Sequence, residues 1–159
     1  MKLRVVNCSD AELKQNVKSV VDYTVQKLFR KRKKLLKNLR LTIRIDNKKA
    51  NEARAWGYCK WMDKNSSPRA FCIIMHENTS RKRFNETLIH ELVHVKQYAK
   101  GELKDYTSGL TRWKKRVFEE DESSIFAIMS TPWEKEAYKM SEDIHAKYKK
   151  FVKNYTKPL

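Results

Sequence analysis

The chain of 159 residues carries 36 Lys and Arg against 19 Asp and Glu, which gives a net charge of +17. This length suits one domain with a substantial core, so residues 1–159 are expected to form a single domain. The excess of positive charge favours an anionic partner, although it also serves solubility. The absence of an apolar signal segment, of a membrane-length apolar run and of CxxC spacing excludes a membrane-spanning or disulfide-framed protein, so we expect a cytoplasmic protein with free thiols.

Helical and extended patterns alternate in the first third of the chain. Residues 2–6 alternate weakly and predict a short strand. Ser9-Asp-Ala-Glu12 is a capping box, and apolar residues at helical spacing predict that the helix it begins runs to about residue 37. Residues 41–45 alternate as a half-buried strand, and the polar residues 47–52 predict a loop.

The middle of the chain predicts two strands and a long helix. Residues 55–62 and 70–75 are expected to be antiparallel strands joined by a turn over 63–68. The helix that follows is expected from about 85 to 100, with Gly101 at the position after its C-cap. Residues 102–130 show no clear pattern.

A last helix is predicted to begin at a second capping box, Thr131-Pro-Trp-Glu134, and to run to about residue 155. The element order predicts an α+β domain. Its parts are an N-terminal helix, a small and mostly antiparallel sheet, a central helix and a C-terminal helix.

The central helix carries the most informative motif, His-Glu-Leu-Val-His at residues 90–94. Four positions apart on a helix, His90 and His94 project from one face and can bind one metal ion. Glu91 lies beside such an ion rather than on it, where it can take a proton from a metal-bound water. Incidental histidines are the competing interpretation, but the apolar flanks predict a buried helix, where unpaired polar groups are costly.

A catalytic zinc site needs a third protein ligand and leaves its fourth position to water. His76 and His145 are the other histidines, and Glu134 and Glu136 both lie at the start of the last helix. Helical geometry does not separate the two carboxylates, which flank the apolar stripe on opposite sides. Glu134 is the N3 residue of its capping box and can be engaged by the Thr131 backbone N–H. Glu136 has no local partner and precedes a small Ala, so we expect Glu136 to be the ligand.

The residues Leu88-Ile-His-Glu-Leu-Val-His-Val-Lys-Gln97 resemble the motif of the HExxH zinc metallopeptidases, the zincins. With Thr131-Pro-Trp-Glu-Lys-Glu-Ala-Tyr138, the chain is most similar to the small SprT-like and phage-encoded metallopeptidases. The resemblance implies a minimal zincin-like fold with one Zn²⁺ per chain, held in part by His90 and His94. It also implies hydrolysis of a peptide or protein by a zinc-bound water, with Glu91 as general base. SprT itself usually uses a third His, but no His follows His94 within fifty residues.

Other residues of the site stay open at this point. A second donor is needed for the developing oxyanion, and the sequence does not choose among four aromatic side chains: Tyr138, His145, Tyr106 and His76. An extended substrate could add as a strand to an edge formed by residues 70–75. The basic residues 81–83 nearby would favour an acidic partner, although they could equally protect an exposed edge.

Basic residues near the end of the first helix raise a second possibility, contact with the phosphates of a nucleic acid. The residues concerned are Arg30, Lys31, Arg32, Lys33 and Lys34. Trp56, Trp61 and Trp113 could stack on bases, although such residues more often belong to a core. The competing functions are therefore a basic nucleic-acid-binding protein, or a regulatory or virion protein that keeps the fold without turnover. The intact Glu91 argues for an enzyme.

Overall fold

Strands from the first half of the chain form a four-stranded sheet. The computed structural model describes residues 1–64, 67–106, 109–119 and 124–155. In spatial order the strands are β1 (Lys2–Val6), β2 (Arg40–Ile45), β4 (Ala70–Met75) and β3 (Gly57–Trp61). β1 pairs with β2 and β2 with β4 in parallel, and only β3 and β4 are antiparallel. The predicted α+β class is confirmed, but the mostly antiparallel arrangement is wrong for this sheet. Residues 7–39 carry the chain back to the starting end of β1 before β2 begins, and the segment between β2 and β4 does the same, so both pairs are parallel.

The crossover between β1 and β2 contains the helix α1 (Ala11–Leu28). Its N-cap is Asp10 rather than Ser9, and the Asp10 carboxylate accepts from the backbone amides of Glu12 and Leu13 at 2.8 and 3.1 Å. The helix ends earlier than predicted, and a separate short helix, α2 (Lys33–Asn38), follows. Like charges at 30–34 would repel one another along one continuous helix, and Phe29 is buried where the chain turns.

Residues 47–52 form the short helix α3 (Asn47–Glu52), where the polar composition predicts a loop. Asp46 is its N-cap, accepting from the Lys49 amide at 3.1 Å. Ala50 is its one buried residue and packs beside Cys72 and Ile74. A helix of this length with a single apolar contact leaves no periodic signal in a sequence.

The motif lies on the helix α4 (Arg81–Ala99), which begins four residues before the predicted start. Ser80 is the N-cap and accepts from the Arg83 amide at 3.2 Å. At the other end Gly101 has a φ of +69°, as predicted, and the amides of Gly101 and Glu102 donate to the carbonyls of Tyr98 and Gln97. This pattern is a Schellman motif, for which a glycine in the left-handed region is preferred. α4 packs against α1, β3 and β4.

The second half of the chain forms a small sheet and two helices. The sheet is antiparallel, with β5 (Leu103–Asp105), β6 (Leu110–Trp113) and β7 (Arg116–Glu119) in that order. The helix α5 (Ile125–Ser130) leads into α6 (Pro132–Tyr155), which runs along α4. The bounds of α6 confirm the prediction for the last helix. Over the described residues, we find no helix with both the length and the apolar character needed to span a bilayer.

Candidate metal centre

Two imidazoles and one carboxylate meet between α4 and α6. His90 Nε2 and His94 Nε2 are 3.1 Å apart. The two oxygens of Glu134 lie 3.1 Å from these nitrogens, Oε2 beside His90 and Oε1 beside His94. All three side chains are largely buried, with exposed fractions of 13, 10 and 16%. We call this set the His90–His94–Glu134 group.

These separations fit a single bound metal ion. Zinc with bonds of about 2.0–2.2 Å in tetrahedral geometry holds its ligand atoms on the order of 3.3 Å apart. Burial alone would raise the pKa of Glu134, but hydrogen bonds from His90 and His94 lower it to about 2. Burial alone would lower the pKa of His94, but Glu134 and Glu91 raise it to about 9. The site therefore favours positive charge at the point where the three side chains meet.

The structure places Glu134, and not the predicted Glu136, beside the two histidines. The predicted hydrogen bond between the Thr131 N–H and Glu134 does not form. The Thr131 N–H donates to the Ile128 carbonyl at 3.1 Å, since α5 ends there, so it does not engage Glu134. Glu136 instead accepts from Lys96 and Gln97 through its Oε2, at 3.0 and 3.1 Å.

Gln97 connects α4 and α6, and sequence reasoning did not predict this role. It is fully buried, and its Nε2 donates to the Trp133 carbonyl at 3.0 Å and to Glu136 at 3.1 Å. Both partners only accept, which settles the amide orientation and places Oε1 2.8 Å from His94 Nδ1. His94 Nδ1 therefore carries the proton. In a neutral imidazole this leaves the lone pair on Nε2, the atom that faces Glu134.

Glu91 lies beside the His90–His94–Glu134 group but is not part of it. Glu91 is buried, with 7% exposed, and its carboxyl accepts a hydrogen bond from the backbone of Cys59 in β3. Burial raises the pKa of the Glu91 carboxyl, the charges of His94 and His90 oppose this, and Glu134 adds to it. A carboxyl with a raised pKa at the edge of a metal-binding group is suited to accept and release a proton.

A cleft of ≈ 990 Å³ opens the site to solvent, and β3, α4, α5 and α6 all contribute residues to its lining.

β4 is flanked by β2 and β3, so the prediction that residues 70–75 form an edge is wrong, and β3 is the edge strand. β4 is an interior strand because β3, which precedes it in the chain, pairs with it on the side away from β2. The strand available for pairing is the one next to Glu91.

No protein-family model matches this chain, and neither does any curated protein or solved structure. What the chain does is therefore inferred from the geometry of its own residues.

The four aromatic residues considered as oxyanion donors separate into two pairs. Tyr138 and His145 line the cleft, and the ring of Tyr138 lies 4.6 Å from that of His90. Burial and the charges of Glu134 and Glu91 raise the pKa of Tyr138, so its hydroxyl stays protonated and can donate. His76 packs against Trp56, and Tyr106 lies under Lys104, both outside the cleft lining.

The basic residues predicted to contact a nucleic acid are exposed and do not line the cleft of the His90–His94–Glu134 group. We call Arg30, Lys31, Arg32, Lys33 and Lys34 the basic segment. All five are exposed where α1 passes into α2, and none forms an ion pair with a described acidic residue. Trp56 and Trp61 are 47 and 41% exposed, but Trp113 is buried against Trp133, which removes it as a stacking surface.

Proposed function

We propose that this chain is a zinc-dependent metallopeptidase in which His90, His94 and Glu134 hold one zinc ion. The observation that carries the proposal is the convergence of two imidazole nitrogens and a carboxylate at 3.1 Å from one another. A zinc ion held there would lower the pKa of water and polarise a substrate carbonyl. Three protein ligands in a wide cleft suit a catalytic site better than a closed structural one, which has four protein ligands.

Glu91 is the general base in this proposal. It takes a proton from the attacking water and passes it to the nitrogen of the leaving amine as the peptide bond breaks. Its burial supports this role, because a carboxyl whose pKa lies closer to neutrality both accepts and returns a proton readily. Tyr138 is the favoured donor to the oxyanion, since its ring packs on His90 and its hydroxyl stays protonated.

The metal content tests the proposal most directly. The purified protein is expected to hold about one zinc per chain, and His90→Ala combined with His94→Ala should abolish it, because two of three ligands are lost. The measurement is elemental analysis after dialysis against a metal-free buffer. His76→Ala is the matched control, since His76 lies outside the His90–His94–Glu134 group. Full zinc occupancy in the double variant would contradict the assignment.

Gln97→Leu is expected to weaken zinc binding roughly 10–100-fold, the usual cost of losing a partner that orients a metal-binding His. Gln97→Glu should recover part of that affinity, because an oxygen again faces His94 Nδ1 although Glu136 now repels it. Asn85→Leu is the control, since Asn85 is a buried polar residue of the same helix that pairs with Asn16 at 2.7 Å. Chelator competition and the visible spectrum of the Co²⁺-loaded protein report the effect, and equal affinity in all three variants would disprove it.

The basic segment supports a second candidate activity, binding of a nucleic acid through its phosphates. About five phosphate contacts predict an affinity that falls roughly 500-fold between 50 and 200 mM salt. Replacing the basic segment with Ser should remove most of this binding and leave the zinc content unchanged. The control replaces five exposed lysines of α6, namely Lys135, Lys139, Lys147, Lys150 and Lys153. Equal losses in both variants would show that net charge alone, and not the basic segment, causes the binding.

A further inference from the structure

The two ends of the cleft differ in chemistry. One end is lined by four cations, Arg54, Lys82, Arg83 and Lys149, against two carboxylates, Glu86 and Glu142. Lys82 lies 3.9 Å from Glu86 with its side chain 71% exposed, and the other three cations form no ion pair with a described acidic residue. Lys149 and Lys82 also act on His145, whose pKa is lowered first by burial and then by their charges, against an opposing effect of Glu86. This end of the cleft therefore suits an anion.

The other end is apolar and unusually exposed. α5 has no buried residue, and Ile125, Ile128 and Met129 line the cleft with exposed fractions of 63, 37 and 41%. Leu103 and Trp133 continue the same wall. Apolar side chains grouped beside a polar site, rather than scattered singly, are typical of a binding surface.

The direction of β3 assigns a polarity to the cleft. The strand begins at Gly57, which lies so close to Thr87 that a Cβ added at Gly57 would be 2.8 Å from the Thr87 Cγ2. The strand ends at Trp61, whose ring centroid is 4.9 Å from that of Tyr98. β3 therefore runs in the same direction as α4. The cations lie at the Gly57 end, where α4 begins, and α5 lies toward the Trp61 end, since it leads into Trp133 beside Gln97.

An extended peptide that adds to the outer edge of β3 in the antiparallel sense places its N-terminal part near Trp61 and its C-terminal part near Gly57. Antiparallel pairing is the more stable arrangement per residue. The N-terminal part then contacts the apolar wall and the C-terminal part contacts the cations.

We propose that the cleft selects an extended polypeptide with a large apolar residue on the N-terminal side of the cleaved bond and an acidic residue on its C-terminal side. This inference rests on the proposed peptidase function, because it names the substrate of that same site. The net charge of +17 would also speed the approach of an acidic segment.

The test uses Glu91→Gln protein with zinc added, so that binding is measured without turnover. A fluorescent peptide with two Leu followed by two Glu across the central bond is compared with a peptide of the same composition in reversed order. Fluorescence anisotropy is expected to show the first binding roughly tenfold more tightly, a usual discrimination for an apolar pocket. Equal affinities, or a preference for the reversed peptide, would overturn the inference.

Two pairs of variants assign the effect to the two ends. Met129→Ser is expected to weaken binding of the first peptide several-fold, and Phe126→Ser is its control, because Phe126 is 81% exposed on the same helix but does not line the cleft. Arg83→Glu is expected to remove the preference for acidic residues, and Arg81→Glu is its control, because Arg81 pairs with Glu12 at 3.4 Å outside the cleft. Controls that behave like the test variants would contradict the assignment. An ordered preference in binding without any hydrolysis by the wild type would contradict the peptidase function and leave the binding specificity standing.

Discussion

Glu91→Gln is expected to keep its zinc and its fold and to lose peptide hydrolysis by roughly a hundredfold or more, the usual contribution of a positioned general base. The amide has nearly the same shape as the carboxyl but does not accept a proton. Glu91 is not in the His90–His94–Glu134 group, so the proposed metal ligands are unchanged. The measurement is kcat/KM on an unfolded protein substrate, because an extended segment has to reach the edge strand β3.

Glu52→Gln is the control for this variant, since it removes the same charge from an exposed position on α3. Zinc content and thermal melting should match the wild type for both proteins. Equal cleavage by wild type and Glu91→Gln would assign the activity to a contaminant or to another site. If neither protein cleaves a broad set of peptides with zinc bound, a binding or regulatory protein that keeps the site without turnover becomes the better interpretation.

Glu134→Gln is expected to weaken zinc binding by more than the roughly 10–100-fold that loss of a supporting partner costs, because it removes a proposed ligand itself. Glu136→Gln, two residues away, should retain the zinc. Its main effect should be a loss of roughly 1–3 kcal/mol in the free energy of unfolding, because the buried Lys96 loses one of its two carboxylate partners.

Competition with a chelator of known affinity and chemical denaturation of the same two variants separate the effects. The pair is well matched, since both changes remove one charge from the first turns of α6. Loss of zinc in Glu136→Gln with retention in Glu134→Gln would restore the ligand expected from the capping box. It would also mean that α6 is rotated relative to the arrangement described above.

The first part of the candidate site could be predicted from the sequence because it is local. Two histidines four positions apart need only a helix to share one face, and the apolar residues around them predict that helix without reference to the rest of the chain. The same reasoning explains why β2, β4 and α6 were predicted nearly at their observed bounds. Gly101 was predictable for a related reason, since the end of a helix favours a glycine in the left-handed region.

Which carboxylate joins the two histidines was not predictable in this way. Glu134 and Glu136 lie on another helix, and the rotation of that helix decides which of them faces α4. In the structure the N–H and the hydroxyl of Thr131 both donate to the Ile128 carbonyl of α5, so the Thr131 N–H does not engage Glu134, which faces α4. Gln97 was missed for the same reason. Gln97 forms hydrogen bonds with His94, Trp133 and Glu136. Trp133 and Glu136 belong to α6, which begins more than thirty residues after Gln97.

By itself, the sequence determined the α+β class, most of the helices and strands, and the His-Glu-Leu-Val-His helix, all of which follow from local periodicity and capping. Tertiary structure decided the order of the strands in the main sheet, the identity of β3 as the edge beside Glu91, and the placement of Glu134 rather than Glu136 beside the histidines. These features depend on which partner each backbone and side-chain group finds across the fold. Several partners are available to each group in the sequence, and packing leaves one.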